Sequence, residues 1–227
     1  MAETLVLDDP AEECAGRLAS AAAEGAHVVL TGGSTPRRCY ERLAGMDVDW
    51  SSATVWFSDE RCVPPDDELS NYGMAKAALL DPLGDGGPDV KRMRGEEGPS
   101  AGADDYEREL RESLGESMPR LDLVLLGLGP DAHVASLFPG QPTLQVGDRP
   151  VVAVPEAGME PFVPRISLTL PAINAARQVL LLVTGESKAE AVARACGEPS
   201  EDAPGSLVRP HSGDLTLLLD QAAASRL

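Results

Sequence analysis

The strongest constraint in this chain is a short apolar run that ends in glycines. Leu121–Leu126, interrupted only by Asp122, is of strand length and stops at Gly127 and Gly129, which mark a tight turn. Pro130 follows and suits the first position of a helix, where its missing N–H is one the helix would leave unpaired anyway. The pattern recurs. His27–Thr31 runs into Gly32-Gly33-Ser34-Thr35-Pro36 and a predicted helix over Pro36–Ala44, and Val179–Thr184 runs into a helix over Gly185–Ala195. Strand, glycine turn and helix in succession call for crossovers, hence a mostly parallel sheet covered on both faces. In such sheets ligands bind beyond the carboxyl ends of the strands, which is where Asp131 and His133 fall.

The rest of the chain fits the same plan. Helices are predicted over Pro10–Gly25, Ser70–Leu80, Asp105–Leu114 and, briefly, Gln221–Ser225. Strands are predicted over Thr54–Ser58, Pro150–Val154, Arg165–Leu170 and Leu215–Leu219. Gly84–Asp104, rich in glycine, proline and charge, reads as a surface excursion, and Gly197–Ser206 as a loop. No linker divides the 227 residues, so one α/β domain over 1–227 is expected.

Glycine turns that open helices present free backbone N–H groups and the positive end of a helix dipole, a setting for phosphate. Arg37 and Arg38 sit in one such first turn and Lys188 in another. Each works against the dipole by roughly 0.3–1 kcal/mol unless an anion lies nearby. Arg61 and Arg165, at predicted strand ends, are further candidates. The net charge of −18, from 19 basic against 37 acidic residues, argues against a nucleic-acid partner. A small anion needs only a few local cations.

Of the three histidines, His27 and His211 default to structural or surface roles. His133 has a carboxylate two residues away and a glycine turn beside it, the setting of a general base whose tautomer is held by Asp131. No close-spaced ligand set suggests a metal, and neither a G-x-x-x-x-G-K-[ST] loop nor a G-x-S-x-G elbow occurs. Gly127–Ala132 matches G-x-G-x-x-A only weakly as a dinucleotide site, because Pro139-Gly140 would end the helix after about two turns. Four scattered cysteines, no signal peptide and no apolar run near the roughly 20 residues of a membrane span point to a reducing cytoplasm.

Five segments taken together, GGSTP (Gly32–Pro36), SDERCVP (Ser58–Pro64), SNYGMAK (Ser70–Lys76), GLGPDAHVASLFPG (Gly127–Gly140) and RISLTLPAIN (Arg165–Asn174), resemble 6-phosphogluconolactonases. TGESK (Thr184–Lys188) and GDLTLLLDQAAA (Gly213–Ala224) follow in the same order, so the resemblance spans nearly the whole chain. It implies a Rossmann-like, three-layer αβα fold and hydrolysis of 6-phosphogluconolactone in the oxidative pentose phosphate pathway, with no metal or organic cofactor. It further implies His133 as the base that activates water, Asp131 as its orienting partner, and a sugar-phosphate pocket lined by Gly33, Ser34, Thr35, Arg61, Arg165 and Lys188. Asp59 would be a pocket carboxylate facing sugar hydroxyls.

Ala132 departs from the family pattern, which has glycine there; a positive φ would strain it and a right-handed turn would not. The oxyanion donors stay open between backbone N–H groups of the Gly127–His133 turn and an arginine. A glucosamine-6-phosphate deaminase on the same fold would carry a glutamate soon after the histidine and a tyrosine after Asp-Glu; this chain has Ser136-Leu137-Phe138 and Arg61. A non-catalytic sugar-phosphate sensor would need a DNA-binding module, for which Met1–Asp9, ahead of the first helix, offers no room.

Overall fold

The structure, a computed structural model, describes residues 2–115 and 118–227, so Met1 of the leading Met1–Asp9 segment lies outside the described residues. In chain order the elements are β1 (Glu3–Val6), α1 (Pro10–Ala23), β2 (His27–Leu30), α2 (Ser34–Leu43), β3 (Thr54–Phe57), β4 (Asp59–Arg61) and α3 (Asn71–Ala75). A π-helical turn over Lys76–Leu80 and α4 (Asp81–Leu83) continue α3. Then come β5 (Asp89–Val90), α5 (Pro99–Leu114), β6 (Leu123–Leu126), β7 (Val151–Val154) and β8 (Arg165–Leu168). The chain finishes with α6 (Leu170–Ala175), β9 (Gln178–Val183), α7 (Ala189–Ala195) and β10 (Asp214–Leu219).

Seven strands pair in parallel in the order β1-β10-β9-β6-β2-β3-β5. Alternation along the strands sorts the core into two layers. Val28, Leu30, Val55, Phe57, Leu123 and Leu125 pack with α1, α2 and α3, whereas Val29, Trp56, Val124 and Leu126 pack with α5, α6 and α7. The result is the expected three-layer αβα arrangement around a mostly parallel sheet.

A second sheet was not expected. β4, β8 and β7 form an antiparallel ribbon in which Asp59 faces Ser167 and Arg61 faces Arg165. Thus Thr54–Ser58 does not simply end at Asp59: the chain leaves one sheet and enters another at Ser58. Where the sheets part, two tyrosines stand in for missing strand neighbours. The Tyr40 hydroxyl accepts from Thr31 N and donates to Thr31 O, both at 2.8 Å, and Tyr106 does the same for Phe57 at 2.7 and 3.1 Å. These buried backbone groups stay paired although no strand continues beside them.

Other local expectations are corrected. The helix expected after Pro130 does not form. Gly129 N donates to His133 O, Ala132 N to Gly129 O and His133 N to the Asp131 side chain, while Ala132 and Ala135 adopt left-handed φ values of 69° and 49°. Those short-range bonds replace the i→i−4 ladder. Gln221–Ser225 is a run of turns, because Asp220 takes the Ala223 N–H and also that of Gly185. Gly84–Asp104 is no mere excursion. It contributes edge strand β5 and the first turn of α5, where Gly102 lets the helix close on Ile166 and Arg94.

Candidate active site

The carboxyl ends of β2, β6 and β9 point toward one side of the molecule, and their loops meet the inner edge of the β4–β8 ribbon around a cavity of about 260 Å³. Gly33, Ser34 and Thr35 line it from the first loop, His133 from the second, Lys188 from the third, and Asp59, Arg61 and Arg165 from the ribbon. Asp131 stands behind His133. The nine residues to which the resemblance gives a role are therefore in or directly against one cavity.

One end is cationic. Arg61 and Arg165 are register partners on neighbouring antiparallel strands, so their guanidiniums are held side by side despite their like charge. Arg61 Nη1 donates to Leu69 O at 2.7 Å and Arg165 Nη2 to Pro161 O at 3.0 Å, but the buried Nε of each has no partner among the described residues. Burial, then the Arg61 charge, lowers the Arg165 pKa, against a partial offset from Asp59 and Glu60. Lys188 spends one donor on Leu128 O at 2.8 Å, and burial lowers its pKa below the ordinary lysine value, with Asp131 opposing. An anion would relieve both the repulsion and the desolvation. The glycine loop adds neutral donors: Gly33 (φ 115°) provides no side-chain cap to α2, which leaves the first-turn N–H groups of Ser34 and Thr35 to the cavity. The Thr35 and Thr184 hydroxyls, 2.9 Å apart, tie this loop to the one bearing Lys188.

The other end holds the His133 imidazole. His133 Nδ1 lies 2.5 Å from Asp131 Oδ1, and since a carboxylate only accepts, Nδ1 carries the proton and the Nε2 lone pair is left available. Burial alone would raise the Asp131 carboxyl, but hydrogen bonding and charge from His133 together outweigh it and hold the pKa below the ordinary value. Gly129 makes this approach feasible: a Cβ there would stand 2.1 Å from His133 Nδ1. Phe138 packs at 4.6 Å from the imidazole, centroid to centroid, and its ring lies 5.4 Å from the Arg165 guanidinium carbon. One phenyl group thus joins the imidazole to the guanidinium.

Some expectations fail at this level. Arg37 and Arg38 do not line the cavity, because α2 turns Pro36, Cys39, Tyr40 and Leu43 inward and leaves both arginines outside, Arg37 beside Glu41 at 3.3 Å. Of the open alternatives for the oxyanion donors, the N–H groups of Gly129, Ala132 and His133 are consumed within their own turn. Ala132 does adopt the strained left-handed φ. His27 is structural, accepting from Trp56 Nε1 at 3.0 Å.

Sequence reasoning missed residues whose importance is set by partners on other elements. Buried Glu60 accepts from the N–H groups of Arg61, Asn71 and Tyr72 and from Ser70 Oγ, clamping the β4 strand to the start of α3. Burial raises its pKa, against the pull of those four bonds. Asn71 donates to Asp59 O at 2.9 Å and presses on Gly32, where a Cβ would meet Asn71 Oδ1 at 1.9 Å. Among the described residues no cluster of three potential ligands could hold a metal, and no helix is long and apolar enough to cross a membrane.

The fold and the motifs have known counterparts. The family described as glucosamine-6-phosphate isomerases/6-phosphogluconolactonase matches residues 3–217. A 6-phosphogluconolactonase of Streptomyces coelicolor is 42% identical, over 96% of this chain and 90% of its own length. A human 6-phosphogluconolactonase is 40% identical over 77% of this chain and 68% of its own. The solved structure of 6-phosphogluconolactonase from Trypanosoma brucei superposes with a TM-score of 0.84 at 29% identity, covering 100% of this chain and 99% of that one. By sequence over almost its full length and by fold, the chain belongs to the glucosamine-6-phosphate isomerase/6-phosphogluconolactonase family.

Proposed function

We propose that this chain, acting as a single domain, hydrolyses 6-phosphoglucono-1,5-lactone to 6-phosphogluconate. The observation that carries the reading is the convergence on one cavity of the carboxylate-held imidazole of His133 and the cations Arg61, Arg165 and Lys188. The cations and the glycine-loop N–H groups hold the 6-phosphate and place the lactone carbonyl toward His133. His133 Nε2 takes a proton from water as its oxygen attacks C1. The ring ester bond then breaks, and the departing ring oxygen receives the proton from the imidazolium. An ester carbonyl is already electrophilic, so one base worth roughly 10²–10⁴-fold, with donors for the developing oxyanion, supplies the chemistry. The N–H groups of Gly129, Ala132 and His133 are occupied within their turn, which leaves the other N–H groups of the Gly127–His133 turn or an arginine to meet the oxyanion.

The deaminase alternative is disfavoured by the space beside the base. Ser136 is fully buried against Asp59, and Phe138 packs on the imidazole, so the residues that follow His133 place no second acid there. The acidic surface and four free cysteines support a cytoplasmic enzyme with no nucleic-acid partner.

The test is His133→Ala, assayed for acid release from the lactone and ammonia release from glucosamine 6-phosphate. The wild type is expected to release acid only, and the variant to lose turnover while still binding 6-phosphogluconate. Ammonia release without lactone hydrolysis would overturn the assignment.

A further inference from the structure

Asp59 lines the cavity, yet both oxygens of its carboxylate are already met by buried serine hydroxyls. Its side chain is almost wholly buried, with Ser136 Oγ donating to Oδ2 at 2.7 Å and Ser58 Oγ 3.0 Å from Oδ1. Ser58 Oγ also lies 2.9 Å from Thr31 Oγ1, and it has a single proton to give. A carboxylate can only accept, so that proton goes to Asp59 and the Thr31 hydroxyl donates to Ser58. A buried chain of hydroxyls therefore runs from the end of β2 to Asp59 and on to Ser136.

Ser136 follows His133 by three residues and is gripped twice. Besides its bond to Asp59, its N–H donates to Ser167 Oγ at 3.2 Å, and Ser167 is the cross-strand partner of Asp59 in the β4–β8 ribbon. Two residues further along the same register stand Arg61 and Arg165. The segment so held contains Ala132 and Ala135, both in the left-handed region, a backbone that persists only when its surroundings impose it.

We propose that Asp59 is a positioning residue: acting through Ser136, it docks the His133 turn onto the ribbon that carries Arg61 and Arg165, and so sets the separation between base and phosphate clamp. This rests on His133 being the base. In place of a carboxylate reading sugar hydroxyls, Asp59 then governs turnover and leaves substrate affinity largely alone.

The experiment compares Ser136→Ala, Asp59→Asn and the double variant with wild type, measuring lactone hydrolysis and competitive inhibition by 6-phosphogluconate. Misplacing a base by about 1 Å costs up to about 100-fold, so each single variant is expected to lower kcat by roughly ten- to a hundredfold. KM and the inhibition constant should stay within about threefold of wild type, since uniform binding is untouched. The double variant should fall little below the worse single one, because both remove the same link. Ser136→Cys, which keeps a weak donor in a somewhat larger side chain, should recover part of kcat; it also serves if Ser136→Ala does not fold. The imidazole NMR signals of His133 should shift in Ser136→Ala.

Wild-type kinetics in Ser136→Ala beside an inactive His133→Ala would overturn this proposal alone. So would Asp59→Asn that raises KM and weakens 6-phosphogluconate while kcat holds, for Asp59 would then touch the sugar. An active His133→Ala would instead remove the base itself, and with it the function proposed above.

Discussion

Gly129→Ala puts the proposed role of the His133 imidazole to a direct test without deleting any functional group. Gly129 does not need glycine for its backbone, whose φ lies outside the left-handed region; it needs glycine for room. A Cβ built there stands 2.1 Å from His133 Nδ1, 2.2 Å from Cε1 and 2.7 Å from Asp131 Oδ1. Carbon and ring atoms settle at roughly 3.5 Å or more, so the imidazole must retreat by more than about 1 Å. Phe138 lies against the ring and blocks retreat on that side. The Nδ1 to Asp131 bond is then lost, and with it the tautomer that leaves Nε2 as acceptor. A displacement of this size costs about 100-fold in kcat, or about 2.7 kcal/mol of barrier. Arg61, Arg165 and the glycine loop are not displaced, so 6-phosphogluconate should inhibit the variant about as well as wild type. Steady-state lactone hydrolysis with product inhibition reads both quantities at once. A folded Gly129→Ala enzyme with near wild-type kcat would refute the claim that catalysis depends on this imidazole position.

Further outcomes follow from burial and charge. Burial makes Lys188 give up its proton at a lower pH than an ordinary lysine, so binding of 6-phosphogluconate should weaken early on the alkaline side; Lys188→Arg should move that limb upward, and an unmoved limb would free Lys188 of the role. Ala132→Gly should change stability by less than about 1 kcal/mol, since relief of about 1–2 kcal/mol of left-handed strain is offset by a lost buried methyl and a freer unfolded chain. Ala132→Val, β-branched at the same φ, should by contrast destabilise clearly in urea melts. Tyr106→Phe strips the partner from the buried Phe57 N–H and C=O and should cost roughly 1–3 kcal/mol by the same measurement.

What the sequence disclosed was mostly local chemistry. The strand–glycine–helix units identified the parallel sheet because apolar runs and glycine breaks act over a few residues, and the same units delivered the glycine loop, His133 and Lys188 to one side. Pro130 misled for the converse reason: proline permits a helix start but does not compel one, and Asp131 spends its side chain on a turn. β4 was invisible, since a three-residue Asp-Glu-Arg strand has no apolar alternation, and β5 has only two residues. Ser136, the partner of Asp59, lies 77 residues away, and those of Glu60 lie across a loop on another element; such contacts leave no periodic trace.

The two phenols that bridge Thr31 and Phe57 also make the molecule self-reporting. Burial pushes the ionisation of both Tyr40 and Tyr106 well above that of a free tyrosine. Both therefore stay neutral to higher pH than a free phenol, so the late part of the rise in tyrosinate absorbance during an alkaline titration reports on those strand ends with no label attached.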